Sequence, residues 1–228
     1  MCAGEFHLFL GEQTPPMVVS EQTIGRLSLY RRLLDAMREQ GVQNVYSHQL
    51  AERTRVSAAQ VRRDLMALGY SGSSRHGYDV RDLLEAVGEF MDAPSGQRMA
   101  LVGVGNLGRA LLAYFIGRRP KLSIAAAFDR DPAKIGRVIH GCRCYPGEKL
   151  QEVVRREGIT IAIITVPAGE APAVAKACVA AGVRGLLNFA PVQLNLGPST
   201  CVSNVDLTMS LETVAFFSRY VDQPQECR

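Results

Sequence analysis

Gly103, Gly105 and Gly108 stand in the G-x-G-x-x-G spacing within "LVGVGNLGRA", residues 101–110. An apolar run precedes them and a helical pattern follows, the context this spacing needs before it points to a dinucleotide. Each glycine has a separate task. Gly103 makes the tight turn, Gly105 lets a pyrophosphate approach the backbone, and Gly108 lets the helix pack on the strand. Val104, Asn106 and Leu107 complete the loop at the helix N-terminus, where backbone N–H groups receive phosphate. Asp129 closes a second apolar run, "LSIAAAFD". A carboxylate there accepts from the adenosine ribose hydroxyls and repels a 2′-phosphate, so NAD(H) is expected over NADP(H). Arg130 follows directly and could pair with such a phosphate. "TVPA" and "NFAPV" end two further apolar runs. Thr165, Val166, Pro167, Asn188, Phe189, Ala190 and Pro191 are therefore expected to line the nicotinamide end.

A bound nicotinamide could serve as a reagent. Hydride transfer usually needs an acid or base beside the ring. No His follows His140, and Lys149 and Lys176 fall on helical patterns. No stretch remains for a substrate domain, so an NAD-dependent oxidoreductase is the weaker reading. Tyr114 could be an acid in principle. A CoA-binding module is a further alternative, because "TVPA"-type turns occur in such folds. Against it, Asp129 would face the 3′-phosphate of CoA. The six cysteines are scattered without C-x-x-C or zinc spacing. That pattern fits a reducing, cytoplasmic setting and no metal site. Cys142 and Cys144 form a C-x-C pair, read as a thiol sensor or as two ordinary strand thiols. The start, "MCAGEFHLFLGEQTPP", lacks the form of a secretory signal, and no apolar run is long enough to span a membrane.

A second set of residues could contact DNA. In "RVSAAQVRRDLMALG", Ser57 and Gln60 have the spacing of a capping box, and Val61, Leu65 and Leu68 form a buried stripe. Gln60, Arg62, Arg63 and Asp64 are expected to point away from it. Before it, Ser47 can cap a short helix carrying Leu50 and Ala51. Earlier still, Ile24, Leu27, Leu34 and Met37 mark a helix ending near Gly41. Two helices joined by a short turn, the second starting polar and carrying paired arginines, have the layout of a helix-turn-helix. Ser47, Ser57, Gln60, Arg62 and Arg63 are the candidate contacts. "YSGSSRHGYDV" supplies a hairpin-like wing with Arg75 and His76. A packing module with solvated arginines remains the plain alternative.

These elements imply an α/β chain in two parts. Residues 1–18 read as a loose tail and 19–92 as a winged helix-turn-helix domain. "APSGQ", 93–97, is a linker, and 98–205 form a Rossmann domain with a doubly wound parallel sheet. Residues 206–228 form a terminal helix and tail. Its apolar residues, Leu207, Met209, Leu211, Val214, Phe216, Phe217, Tyr220 and Val221, cover so much of the helix that a partner subunit is expected to bury it. The net charge of +4 and 47% hydrophobic content suit a globular protein and alone imply no nucleic acid. No Lys precedes Lys121.

Taken in order, "RLSLYRRLL", "QVRRDL", "GYDV", "VGVGNLGRALL", "AAFDRDPAKIG", "ITVPA", "LNFAPVQLN" and "NVDL" resemble the Rex family of redox-sensing transcriptional repressors, over about residues 24–220. The resemblance implies a homodimer that binds an inverted-repeat operator in double-stranded DNA when NADH is low and releases it when NADH binds. NADH and NAD+ are then sensed ligands and the protein is no enzyme. By the same resemblance, the terminal helix is expected to be exchanged between subunits. The resemblance also implies a switch of three residues, Arg32, Tyr114 and Asp206, with Tyr114 near the nicotinamide and Asp206 alternating between Tyr114 and Arg32. The wing and one residue of the second part depart from the family. Gly72, Ser73, Ser74 and Arg75 replace a more basic wing, and Arg130 replaces an apolar residue. The N-terminal extension has no counterpart.

Overall fold

The computed structural model describes residues 6–8, 17–73, 75–119 and 121–221. The chain divides into two units between Pro94 and Ser95. Within the expected tail, β1 (Phe6–Leu8) pairs antiparallel with β2 (Met17–Val19). The rest of residues 1–18 lies outside the described residues.

The first unit continues with α1 (Glu21–Glu39), capped by the Ser20 hydroxyl, which accepts from the Thr23 N–H. Gly41, at φ +77, ends it: the Val42 N–H reaches back to the Met37 carbonyl, closing the last turn. Then come β3 (Asn44–Val45), α2 (Ser47–Thr54), α3 (Ala58–Ala67), β4 (Tyr78–Asp79) and α4 (Val80–Met91). β3 and β4 pair antiparallel. The core joins Leu27, Tyr30 and Leu34 of α1 to Leu50, Val61, Leu65, Leu83 and Val87. Ile24, the first residue of the apolar period that marks α1, is 38% exposed, whereas Tyr30 is buried.

The second unit is built on a seven-stranded sheet. Its strands are β5 (Gln97–Val102), β6 (Leu122–Asp129), β7 (Val138–Ile139), β8 (Cys142–Pro146), β9 (Ile159–Ile164), β10 (Gly185–Asn188) and β11 (Cys201–Asn204). The order is β11-β10-β9-β5-β6-β8-β7, parallel except for the edge strand β7. The helices α5 (Asn106–Phe115), α6 (Leu150–Arg156) and α7 (Ala171–Ala181) make the crossovers. This is the doubly wound arrangement, and its strand order reverses between β5 and β9. There the Thr165 N–H donates to the Val102 carbonyl at 2.9 Å. One core layer packs Phe128, Val153, Ile164, Ala175 and Cys178, and another packs Leu101, Leu112, Ala127 and Ile163.

The chain described ends in α8 (Leu207–Ser218), which buries no residue within this chain. No helix among the described residues is long and apolar enough to cross a membrane.

Candidate functional site

At the strand-order reversal lies a cleft of about 510 Å3. Its floor is made by Val102, Gly103, Gly105, Leu107 and Phe128, and its far wall by Thr165, Val166, Pro167 and Phe189. The glycines stand where the chain needs them. Gly103 has φ +98, and a Cβ there would come within 2.7 Å of the Thr165 carbonyl oxygen. A Cβ on Gly108 would run into the Gly103 carbonyl oxygen. Gly105 faces open space, with nothing within 4 Å of an added Cβ. A turn pinned from behind and open in front has the form that admits a pyrophosphate at the start of a helix.

Asp129 ends β6 at the cleft. Its carboxylate accepts from the Val104 N–H at 2.7 Å and the Asp131 N–H at 2.9 Å, and pairs with the Lys134 ammonium at 3.0 Å. Burial pushes its pKa up, but these three donors outweigh burial and hold it below the ordinary carboxylate value. Asp129 is therefore ionised at the edge of the cleft. Arg130 lies over the cleft mouth and pairs with Glu170 at 2.6 Å. The Thr165 hydroxyl donates to the Gly103 and Val102 carbonyls, at 2.6 and 3.1 Å. The glycine turn and the ionised carboxylate at the cleft fit a dinucleotide.

Not every residue expected at the cleft lines it. Val104 is buried behind the loop and contributes its N–H to Asp129; Asn106 and Gly108 belong to the first turn of α5. Asn188 is fully buried and serves the backbone: its amide donates to the Val192 carbonyl and to Asn204 Oδ1, while its own oxygen accepts from the Ala190 N–H. Ala190 and Pro191 form the turn that Asn188 ties, so only Phe189 of this group reaches the cleft. Tyr114 stands exposed on α5, with the Arg118 guanidinium 4.0 Å from its ring centre. Lys134, Gly147, Glu170 and Val174 line the cleft and were not expected. A "DxxxxK" spacing after β6 was the available signal for Lys134. Cys142 and Cys144 are buried, and burial pushes Cys142 up to about 11 and raises Cys144. Buried thiols with raised pKa values favour the reading of two ordinary strand thiols.

In the first unit, α2 and α3 meet through a turn in which Arg55 takes the left-handed conformation, φ 55. Ser57 caps α3, its hydroxyl accepting from the Gln60 N–H. The reciprocal half of the expected box is absent. The Gln60 amide donates to Asp64 and its oxygen accepts from Arg63, at 2.8 Å each. The cause is Asp64, which does not point away but is 3% exposed and collects donors. Arg26 reaches it through two nitrogens, at 2.6 and 2.8 Å, and the Tyr30 hydroxyl donates at 2.9 Å. Burial raises the Asp64 pKa, yet Arg26, Gln60 and Tyr30 together hold it below its ordinary value. Ser47 does not cap α2 either. It is the first helical residue, and its hydroxyl accepts from Arg62 at 3.1 Å. Arg62 and Arg63 are exposed.

The wing is a hairpin. Ser73 and Gly77 exchange both backbone hydrogen bonds at 2.8 Å, and the Ser73 hydroxyl accepts from the N–H groups of Arg75 and His76. Arg75 and His76 are exposed at its tip; Ser74 lies outside the described residues. Tyr46, which the spacing arguments passed over, ties the wing to α2. Its hydroxyl donates to the Arg75 carbonyl at 3.2 Å, and its ring stacks on His48. Of the three switch candidates, Arg32 is exposed on α1, while neighbouring Arg31 is buried and paired with Asp92 at 2.9 Å. Asp206 caps α8, accepting from the Met209 N–H.

Comparison with known proteins adds to this geometry. Residues 95–192 match the family model "CoA binding domain", and residues 18–65 match "Putative DNA-binding protein N-terminus". A redox-sensing transcriptional repressor Rex of Carboxydothermus hydrogenoformans is 42% identical over 198 residues, covering 87% of this chain and 95% of the relative. One of Listeria welshimeri is 37% identical over 199 residues, covering 87% and 93%. Among solved structures, the Rex-family repressor RSP in complex with β-NAD+ and operator DNA aligns with a TM-score of 0.82 at 28% identity, covering 90% of this chain and 94% of that one. RSP in complex with β-NADH aligns at 0.78, covering 90% and 95%.

Proposed function

The chain belongs to the Rex family of redox-sensing transcriptional repressors, and from that premise we propose how its residues carry the family's function. It represses transcription by binding operator DNA, and it senses the NADH/NAD+ ratio. In this reading residues 19–92 bind DNA, 98–205 bind the dinucleotide, and 206–228 are exchanged between two copies. The observation that carries it is the pairing, in one chain, of the glycine-cradled cleft with a helix-turn-helix whose Arg62 and Arg63 are exposed.

Gly103, Gly105 and the start of α5 hold the pyrophosphate, and Asp129 holds the adenosine ribose. Val166, Pro167 and Phe189 form the apolar wall. The bound dinucleotide supplies a reduced or oxidised nicotinamide, and the protein reads which one is present. The polar groups of the cleft support a signal over a reagent. Thr165 donates to backbone carbonyls, and Asp129 and Lys134 pair with each other. On the DNA side, Ser57 and Ser47 with Arg62, Gln60 with Arg63, and Arg75 with His76 form three contact groups across α3, the start of α2 and the wing. Arg contacts to phosphate and guanine edges suit the major groove.

A homodimer is supported by α8. Leu211, Val214 and Phe217 are 63–68% exposed, and Tyr114 of α5 and Ile116 just beyond it are also exposed. An apolar face of this extent needs a cover. A second copy supplies one, and brings Tyr114, Asp206 and Arg32 of two chains into play as a two-state element. Reciprocity then applies: NADH weakens DNA binding by the same factor by which DNA weakens NADH binding.

The test is operator binding to an inverted repeat at fixed salt, with NADH and NAD+ titrated separately. Release by NADH at concentrations where NAD+ leaves the complex intact is the expected result. Equal release by both, or by neither, overturns the proposal.

A further inference from the structure

A second recess, about 400 Å3, lies beside the cofactor cleft, between α5 and the loop that follows β6. Arg109, Lys134 and Arg137 line it, with Asp131, Ala133, Val138 and Ile139. Three cations thus face one acid. Asp131 is largely committed: one oxygen accepts from the Ala133 N–H at 2.9 Å, and the other lies 3.6 Å from Lys134. Among the described residues no carboxylate pairs with Arg109 or Arg137. Exposed guanidinium groups usually disperse toward acids or solvent. Here two of them and an ammonium converge on one concavity.

Lys134 belongs to both recesses. It lines the cofactor cleft and holds Asp129 at 3.0 Å. An anion drawing on Lys134 changes how much of the Asp129 carboxylate is free to accept ribose hydroxyls.

We propose that Arg109, Lys134 and Arg137 form a binding site for a phosphate dianion, coupled through Lys134 and Asp129 to the dinucleotide cleft. The coupling rests on the cofactor reading above; the anion site does not. Guanidinium forks match the paired oxygens of a phosphate, and Lys supplies a point charge. Two sources share this chemistry: a free phosphate, or the 2′-phosphate of NADPH reaching past Asp129.

The experiment compares the full chain with the Arg109→Ala/Arg137→Ala double variant, whose changes are exposed and lie outside the cofactor cleft. NADH is titrated in chloride and in inorganic phosphate at equal ionic strength, and NADPH is titrated in chloride. If the site takes free phosphate, phosphate shifts NADH affinity in the wild type by about fivefold, and the double variant loses the shift. If it takes the 2′-phosphate, the double variant loses NADPH affinity and keeps NADH affinity. Restoring charge with Arg109→Lys/Arg137→Lys should recover part of either effect. The proposal is overturned if wild type and double variant respond alike in both arms. Failure of NADH to bind in chloride would refute the cofactor reading instead. The recess is then judged alone, by phosphorus NMR line broadening of phosphate, which must be stronger with the wild type than with the double variant.

Discussion

Asp64 and Arg63 are adjacent residues of one helix with opposite fates. Asp64 is buried under Arg26, Gln60 and Tyr30, so it holds α3 against α1. Removing it leaves a guanidinium and a buried hydroxyl without their acceptor. Asp64→Ala is expected to lower the stability of the first unit by about 3–5 kcal/mol, measured by urea unfolding. Its folded pKa is depressed. The stabilisation is therefore complete above the unfolded carboxylate value of about 3.9 and is lost as pH falls through the lower folded value. Acid unfolding of Asp64→Asn should show a shallower pH dependence in that range. Arg63 pairs with no acid among the described residues, donates to Gln60 and faces solvent. Arg63→Ala should cost about 1–3 kcal/mol of operator affinity and leave NADH affinity intact. Wild-type DNA binding by this variant would remove α3 from the groove.

At the scale of elements, the wing is held by the Ser73–Gly77 backbone pair and by Tyr46. Its strand pair is only two residues long, β3 with β4. Gly77 sits at φ +72, where a Cβ would come within 2.6 Å of the Val45 carbonyl oxygen. Gly77→Ala should therefore splay the hairpin, weakening operator binding several-fold while the NADH titration stays unchanged; protection of the Ser73 and Gly77 amides from hydrogen exchange should fall with it. The helix α8 raises the converse issue. Its N-cap is formed, yet none of its apolar residues is buried among the described residues. Leu211→Glu/Phe217→Glu should shift a sedimentation-velocity profile from dimer to monomer, because two charges cannot be buried in an apolar interface without large desolvation cost. An unchanged profile would locate the subunit contact elsewhere.

For the whole molecule, the question is how one site informs the other. Any coupling needs an element with two arrangements that the two ligands favour differently. Asp206 occupies the joint between β11 and α8, and a cap can exchange its partner for a side chain at modest cost. Asp206→Ala should bind both NADH and operator yet lose NADH-induced release. The helix cost of losing the cap is about 1 kcal/mol, so the variant should remain folded. Full release by this variant would show that the signal takes another route.

The division between sequence and tertiary structure follows from the range of the forces involved. Glycine spacing, the acid ending β6, helix stops at Gly41 and the βα alternation are local, since backbone sterics and side-chain period act within a few residues. Those features pointed, from the sequence alone, to a chain in two parts and to a glycine-lined cleft at the strand ends. Which polar side chain faces inward is a matter of distant partners. Asp64 is buried because Arg26, 38 residues away, reaches it. Asn188 serves a turn because Asn204 lies beside it. Arg31 is buried and Arg32 exposed although the two are neighbours. Lys134 reaches both recesses because its loop folds back beside α5. Only the packed chain could decide these, because burying a charge or an amide is tolerable only where tertiary structure brings its partners.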